Sequence, residues 1–292
     1  MSTITMEQTV RRVDVRYVLR RRLLRALTYL ALITGSIIFS IPFFWLITTS
    51  LKPTRQIVTF PPQWIPDPIV WGNYTDVFLY APFDLYFRNT MFIVAFHLLG
   101  AVGTCSLVAY AFARLRAPGR DVLFGLLLST MMVPAWVTLV PLYLLFSKIG
   151  WINTFYPLIV PALTGNAFYI FLLRQFFLTL PRELEDAALI DGAGYFAIWW
   201  RLVLPLSAPA LATVAIFSFM GTWNEFIGPL IFLNSRTKYT LALGLQVFVR
   251  EHGADFGLLM AASTMMIMPI IVMFFFMQRQ FVQGITLTGM KG

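Results

Sequence analysis

Six long apolar stretches divide this chain, at residues 26–49, 89–112, 122–146, 155–173, 210–233 and 256–277. Each is long enough for a helix to cross a hydrocarbon core of ~30 Å, which takes roughly 20 residues at a rise of about 1.5 Å. None alternates polar and apolar residues as a barrel strand does. In hydrocarbon a backbone must satisfy its own hydrogen bonds, so helix is the only state left. The pattern predicts an all-α integral membrane protein with six transmembrane helices.

The segments between the stretches set an orientation. Seven arginines (Arg11, Arg12, Arg16, Arg20, Arg21, Arg22 and Arg25) crowd the residues before the first stretch. If that end is cytoplasmic, only Lys52, Arg55, Arg88, Lys148, Arg236, Lys238 and Arg250 of the 22 basic residues face outward. The basic excess then lies inside, as membrane insertion favours, and both termini are expected in the cytoplasm. The basic start followed by an apolar run imitates a signal peptide. The run is longer than a signal core and no small-residue cleavage site follows, so it is read as a retained first helix.

Composition agrees with a membrane location. Of 292 residues 59% are hydrophobic and 12% charged, with a mean hydropathy of +0.76. The charged share is roughly half that of a soluble domain. A net charge of +9 and a pI near 9.9 would fit nucleic acid binding. Here the basic residues flank apolar runs, so membrane lipid and topology account for them and no nucleic acid partner is expected. Cys105 is the single cysteine, which excludes an intrachain disulfide.

The expected organisation is a basic cytoplasmic segment (1–25), a six-helix transmembrane domain (26–278) and a cytoplasmic tail (279–292). An outer loop at 50–88 carries six prolines and several aromatics, and is expected to be ordered against the membrane surface or a partner. A second outer loop spans 234–255. The third and fourth stretches each hold a proline pair, Pro134 with Pro141 and Pro157 with Pro161. Each proline removes a backbone donor and can kink its helix.

The loop at 178–208 is too polar for lipid. Pro181 suits a first helical position, and Glu183, Glu185 and Asp186 follow where a helix N-terminus favours negative charge. Ala187 and Ala188 leave a face open to close contact, and Gly192 can take the positive φ that ends a helix. A second amphipathic piece, 195–203, leads to Leu204 and Pro205. The prediction is two short helices joined by a turn on the cytoplasmic membrane face, shaped to dock into a groove on another protein.

This loop resembles the EAA loop of ABC-importer permeases, through Asp186, Ala187, Ala188, Asp191, Gly192, Ala193, Leu204 and Pro205. Asp186 stands where the pattern has Glu, which keeps the charge. The sequence Trp223-Asn224-Glu225-Phe226 with Pro229-Leu230, the Leu51-Lys52-Pro53 after the first stretch, and the tail from Phe281 are similar to carbohydrate-uptake permeases, in particular the smaller permease subunit of maltose-type transporters. The resemblance implies a type I importer fold with a cytoplasmic coupling helix, in the bacterial inner membrane. Glu185 and the loop residues named above would be gripped by ATPase subunits, and Gln283 and Gly284 in the tail would also reach them. The implied partners are a homologous permease subunit, two ATP-binding cassette subunits and an extracytoplasmic substrate-binding protein. ATP and Mg would belong to the ATPase subunits, with no cofactor in this chain.

Glu225 is the only acidic residue inside a stretch. A carboxylate at that depth costs several kcal/mol unless it faces a cavity or finds a partner. With Trp223 and Asn224 it is read as lining the translocation path or bracing its outer gate, or else as pairing with the partner permease. His97, Asn166 and Cys105 stand singly in apolar runs, where neighbouring helices ordinarily satisfy them. No Gly-rich phosphate loop, no zinc-protease or nucleophile-elbow motif and no Cys/His cluster occurs. The leading expectation is a sugar-importing permease that is not itself an enzyme. An ABC permease for another solute, an ion-coupled secondary transporter and, less in keeping with the motifs, a membrane enzyme are the alternatives.

Overall fold

The computed structural model describes residues 15–250 and 255–289, and every regular element among them is helical. In chain order the main helices are α1 (Val15–Ser50), α2 (Gly72–Tyr80), α3 (Phe83–Arg114), α4 (Arg120–Thr130), α5 (Ala135–Lys148), α6 (Tyr156–Leu163), α7 (Ala167–Thr179), α8 (Glu183–Ile190), α9 (Tyr195–Leu206), α10 (Ala208–Trp223), α11 (Ile227–Phe232) and α12 (Phe256–Gly289). Four helical units are long and apolar enough to cross a membrane: Leu19–Ser50, Phe83–Arg114, Tyr156–Thr179 and Phe256–Gln278. The number rises to six if α4 with α5 and α9 with α10 each count as one bent span, at 94° and 82°.

Three of the expected spans, the third, fourth and fifth, are not continuous helices, and proline explains the breaks in the third and the fifth. A proline ring collides with the carbonyl four residues earlier and offers no N–H. Pro134 sets that collision at Thr130, where α4 ends. Pro229 sets it at Glu225, inside the break between α10 and α11. The expected fourth span also breaks, at Thr164–Asn166, and Asn166 caps the new start at α7 by accepting from the Phe168 and Tyr169 amides at 3.0 and 3.2 Å. Pro42 and Pro269 sit inside α1 and α12 without ending them.

Two apolar cores lie one after the other along α3 and α10. The first gathers Val77, Tyr86, Val94 and Trp223 against Leu258, Ala261 and Ala262 of α12. The second packs Ala101, Cys105, Ala109 and Ala113 of α3 against Ile170, Leu173 and Phe177 of α7, with Ile198, Trp199 and Val203 of α9 below. The small residues recur every four positions on α3, one face of a helix, and let α7 approach closely. At Gly100, in a wide π turn of α3 over Leu99–Thr104, the approach is to backbone: an added Cβ would fall 2.2 Å from the Ala162 carbonyl oxygen of α6. In contrast α1 stays exposed along most of its apolar length, and only Thr48, Thr49 and Ser50 at its end are buried.

The loop at 50–88 is ordered against its own chain. Asn73 donates to the carbonyls of Ser50 and Lys52 at 2.8 and 3.0 Å, the Ser50 and Tyr74 hydroxyls lie 2.7 Å apart, and α2 packs on α12. Lys52 is buried with its ammonium 3.9 Å from the centre of the Trp45 ring. Asn153, at φ 61, pins the loop after α11: its Oδ1 accepts from the Asn234 and Ser235 amides at 3.1 and 3.0 Å.

Candidate functional site

A cavity of about 460 Å³ opens on one side of the bundle. α3 supplies Thr90, His97 and Cys105, the α6–α7 break supplies Asn166, and Tyr169, Ser218 and Glu225 come from α7, α10 and the α10–α11 break. His97, Cys105 and Asn166, which look solitary along the chain, thus meet around one space. His97 Nε2 lies 2.8 Å from the Leu158 carbonyl, which can only accept, so this nitrogen donates. Asn166 spends its Oδ1 on the α7 cap, and its own amide lies 3.2 Å from Cys105 Sγ.

Glu225 owes its position to the Pro229 break. Free of the helix, its Oε1 accepts from the Gly228 amide at 2.9 Å, and the residue is exposed toward the cavity. Asn224 is also exposed and donates to the Met220 carbonyl at 2.9 Å. Trp223 points elsewhere. It is fully buried in the first core, its indole N–H donating to the Met266 carbonyl at 3.0 Å and its ring stacked on Phe219. Of the three consecutive residues, Trp223 closes α10 inside the core, Asn224 is exposed outside the cavity lining, and Glu225, beyond the helix end, lines the cavity. Glu225 is the one acidic side chain in the lining, and no lysine or arginine faces the cavity. Neutral hydroxyl, amide and phenol groups, with an imidazole and a carboxylate, suit hydrogen bonding to a polyhydroxylated solute.

The second feature is the hairpin of α8 and α9. α8 opens with Glu183, Glu185 and Asp186 in its first turn. Its N-cap is Arg182, so Pro181 stands just outside the helix, two residues before the first helical position that its sequence context indicates for it. The end is a Schellman closure. The Ala193 amide bonds the Ala188 carbonyl at 2.9 Å, the Gly192 amide bonds Leu189 at 3.0 Å, and Gly192 holds φ 82. Ala188 and Ala193, joined by that closure, both pack on the second core. The spacing of the two alanines and the glycine is thus the spacing of a helix stop.

The hairpin residues divide by direction. Asp186, Ala187, Asp191, Gly192 and Pro205 are exposed, whereas Ala188, Ala193 and Leu204 are half-buried. Ile190 at the tip is 87% exposed, with Phe196 and Trp200 also open. Glu185 turns inward to Arg114 of α3, at 2.8 Å. Burial pushes its carboxyl above the usual range, against the pull of Arg114 and Arg182. Sequence reading placed Glu185 in the docking surface and overlooked Arg114, whose only signal was a charge at the end of an apolar run. Gln283 and Gly284 fall in the last part of α12, and their side-chain surroundings lie outside the described residues, as does the segment before residue 15.

With this geometry in view, residues 101–287 match the family described as binding-protein-dependent transport system inner membrane component. The chain belongs to that family, the multi-pass permeases of ABC transporters. It is 34% identical over 254 residues to the arabinooligosaccharides transport system permease protein AraQ of Halalkalibacterium halodurans, covering 86% of this chain and 91% of the relative. It is 33% identical over 279 residues to the melibiose/raffinose/stachyose import permease protein MelC of Bacillus subtilis, covering 94% and 99%. Among solved structures, a chain of a bacterial ABC transporter involved in the import of the acidic polysaccharide alginate superposes with a TM-score of 0.78, at 23% identity, over 88% of this chain and 96% of that one.

Proposed function

We propose that this chain is one of two permease subunits of an importer for a di- or oligosaccharide or related polyol, driven by separate ATPase subunits. The observation that carries the reading is the α8–α9 hairpin, a capped helix whose exposed tip stands beside a core continuous with the cavity-lining helices. In this reading α8 is the coupling helix, both termini and the hairpin are cytoplasmic, and an ATPase subunit receives Ile190 and its neighbours. A homologous permease closes the open side of the cavity, and an extracytoplasmic binding protein delivers the solute. The sugar assignment draws on the transport systems named for the relatives and on the mostly neutral, hydroxyl- and amide-bearing cavity wall.

Mechanistically, nucleotide-driven closure of the ATPases moves α8 as a body, and the cavity exchanges inward for outward access. Nucleotide drives this only through its differential affinity for the two states. Glu225 and His97 hold hydroxyl groups in the path while Trp223 fixes the break that positions Glu225. The test is co-purification of the tagged chain from its native membrane in mild detergent, with uptake measured in the same cells. A second multispan chain and an ATPase subunit are expected, the latter lost in Ala188→Arg. Glu225→Gln is expected to keep assembly and lower uptake at least about ten-fold, the scale of one lost hydrogen bond to a charged group. Isolation without an ATPase in several detergents would overturn the reading.

A further inference from the structure

The end of α3 carries an arrangement that the docking surface and the cavity do not use. Arg114 donates through Nη2 to the carbonyls of Phe177, in the last turn of α7, and of Leu180, its C-cap, at 2.6 and 2.7 Å. Its Nε meets Glu185 of α8 at 2.8 Å, with the two side chains only 4% and 12% exposed. A return contact runs from α7: Arg174 Nε donates to the Phe112 carbonyl at 3.3 Å and the guanidinium lies 4.1 Å from the Phe124 ring centre. Two arginines thus tie the ends of α3 and α7 to each other, where a cation meets the negative end of a helix dipole. One of them extends the tie to α8. Among the described residues this is the one ion pair between α8 and the membrane helices.

Stability alone is a weak reason for such a pair. A buried ion pair often gives no more than well-packed apolar groups would, because both charges lose water. What it adds is placement: two hydrogen bonds hold the Arg114 guanidinium on the end of α7, and its charge draws the Glu185 carboxylate to 2.8 Å without a hydrogen bond between Nε and Oε1, so three helix ends meet at one cation. The same two membrane helices bear on the cavity, α3 through Thr90, His97 and Cys105, and α7 through Tyr169 and its cap Asn166.

We propose that the Arg114–Glu185 pair is the linkage that carries displacement of α8 into α3 and α7, and so into the cavity wall. Arg114 and Glu185 are positioning residues, touching neither solute nor nucleotide. The inference rests on the reading of α8 as the ATPase-docking helix. It differs from that reading in placing the decisive contact on the inward face of α8, opposite its exposed tip. Without the pair, α8 still docks and still follows the ATPases, but its contacts Ala188 and Ala193 slide over the apolar second core without moving the helices above.

The experiment uses the complete transporter in liposomes, with binding protein and solute, reading ATP hydrolysis and uptake in the same vesicles. Glu185→Gln and Arg114→Gln are compared singly and together. The expected result is unchanged ATPase co-purification, hydrolysis within about two-fold of the parent, and solute moved per ATP reduced at least about five-fold, the lower end of ordinary coupling between sites. The double variant is expected to match the worse single one, since both break the same link. If Arg114→Gln fails to assemble, Glu185→Gln decides alone, because it keeps the side chain's shape and leaves Arg114 on its two carbonyls. Parent stoichiometry in an assembled Glu185→Gln transporter overturns the linkage while leaving the docking reading intact. Loss of the ATPase from Glu185→Gln would also overturn it, by making the residue part of the dock. Absence of the ATPase from the parent complex overturns the docking reading itself.

Discussion

At the scale of single residues, packing and ionisation give separate predictions. Gly100 faces backbone, so the Ala162 carbonyl cannot swing aside as a side chain would, and Gly100→Ala must push α3 off α6 beside the cavity. A loss of about 1–3 kcal/mol is expected, of the size seen for overpacked sites, read as a lower thermal midpoint in detergent. Gly103, three residues on with nothing within 4 Å of an added Cβ, is the control and is expected to tolerate alanine. Glu185 offers a pH test. Its carboxyl lies above the usual value of 4.5 because burial outweighs Arg114 and Arg182, with Asp186 adding to the rise. The folded state therefore binds this proton more tightly than the unfolded chain does. The stability advantage is full below 4.5 and disappears as pH rises through the folded value. Against Glu185→Gln, which does not titrate, the parent is expected to lose relative stability from pH 4.5 upward, measured by thermal unfolding of both proteins. A difference that grew with pH would show the carboxyl to be depressed instead.

At the scale of elements, the hairpin is the part most legible in sequence. Acidic residues, two alanines, Asp-Gly and a second amphipathic piece read as helix, stop, helix, and the Schellman closure gives the physical reason for that spacing. Because Gly192 holds φ 82, any L side chain there is strained by about 1–2 kcal/mol. Gly192→Ala is expected to loosen the α8 stop and reduce ATPase co-purification several-fold, whereas Gly194, at φ −76, is expected to accept alanine with little change. The apolar stretches also gave away the spanning helices, but less faithfully. Hydrophobic length records what lipid tolerates, and a proline break keeps a stretch just as apolar, so Pro134 marked a possible kink in the third stretch while the division at Glu225 was hidden. The cavity was hidden for another reason. His97, Cys105, Asn166 and Glu225 come from helices far apart in sequence, and no single-span pattern shows that they converge. Trp223 shows the reverse error, since nearness in sequence to Glu225 says nothing about which side of α10 its ring takes.

At the scale of the whole molecule, the exposed apolar surface has a simple distribution that bears on orientation. α1 is open along nearly its full length, as is much of α5, including Trp136, Val137 and Val140. A membrane protein leaves such faces to lipid or to a second apolar helix, so they are no sign of a soluble interface. Away from these helices, exposed groups include Phe60 and Ile65 in the loop at 50–88 and Ile190 with Phe196 in the hairpin. The charge asymmetry of the loops predicts the first group outside and the second in the cytoplasm. Replacing Cys105 by Ser leaves a cysteine-free chain, since Cys105 is the single cysteine. One new cysteine at Phe60 or at Ile190 then reports sidedness. In intact cells a membrane-impermeant thiol reagent is expected to label position 60 and spare position 190, and in inside-out vesicles the pattern reverses. Labelling of position 190 from outside would invert the entire topology. Protection of position 190 inside, lifted when the ATPase is stripped from the membrane, would put the hairpin under a partner. That outcome would join the orientation predicted from the loop charges to the docking proposed for the hairpin.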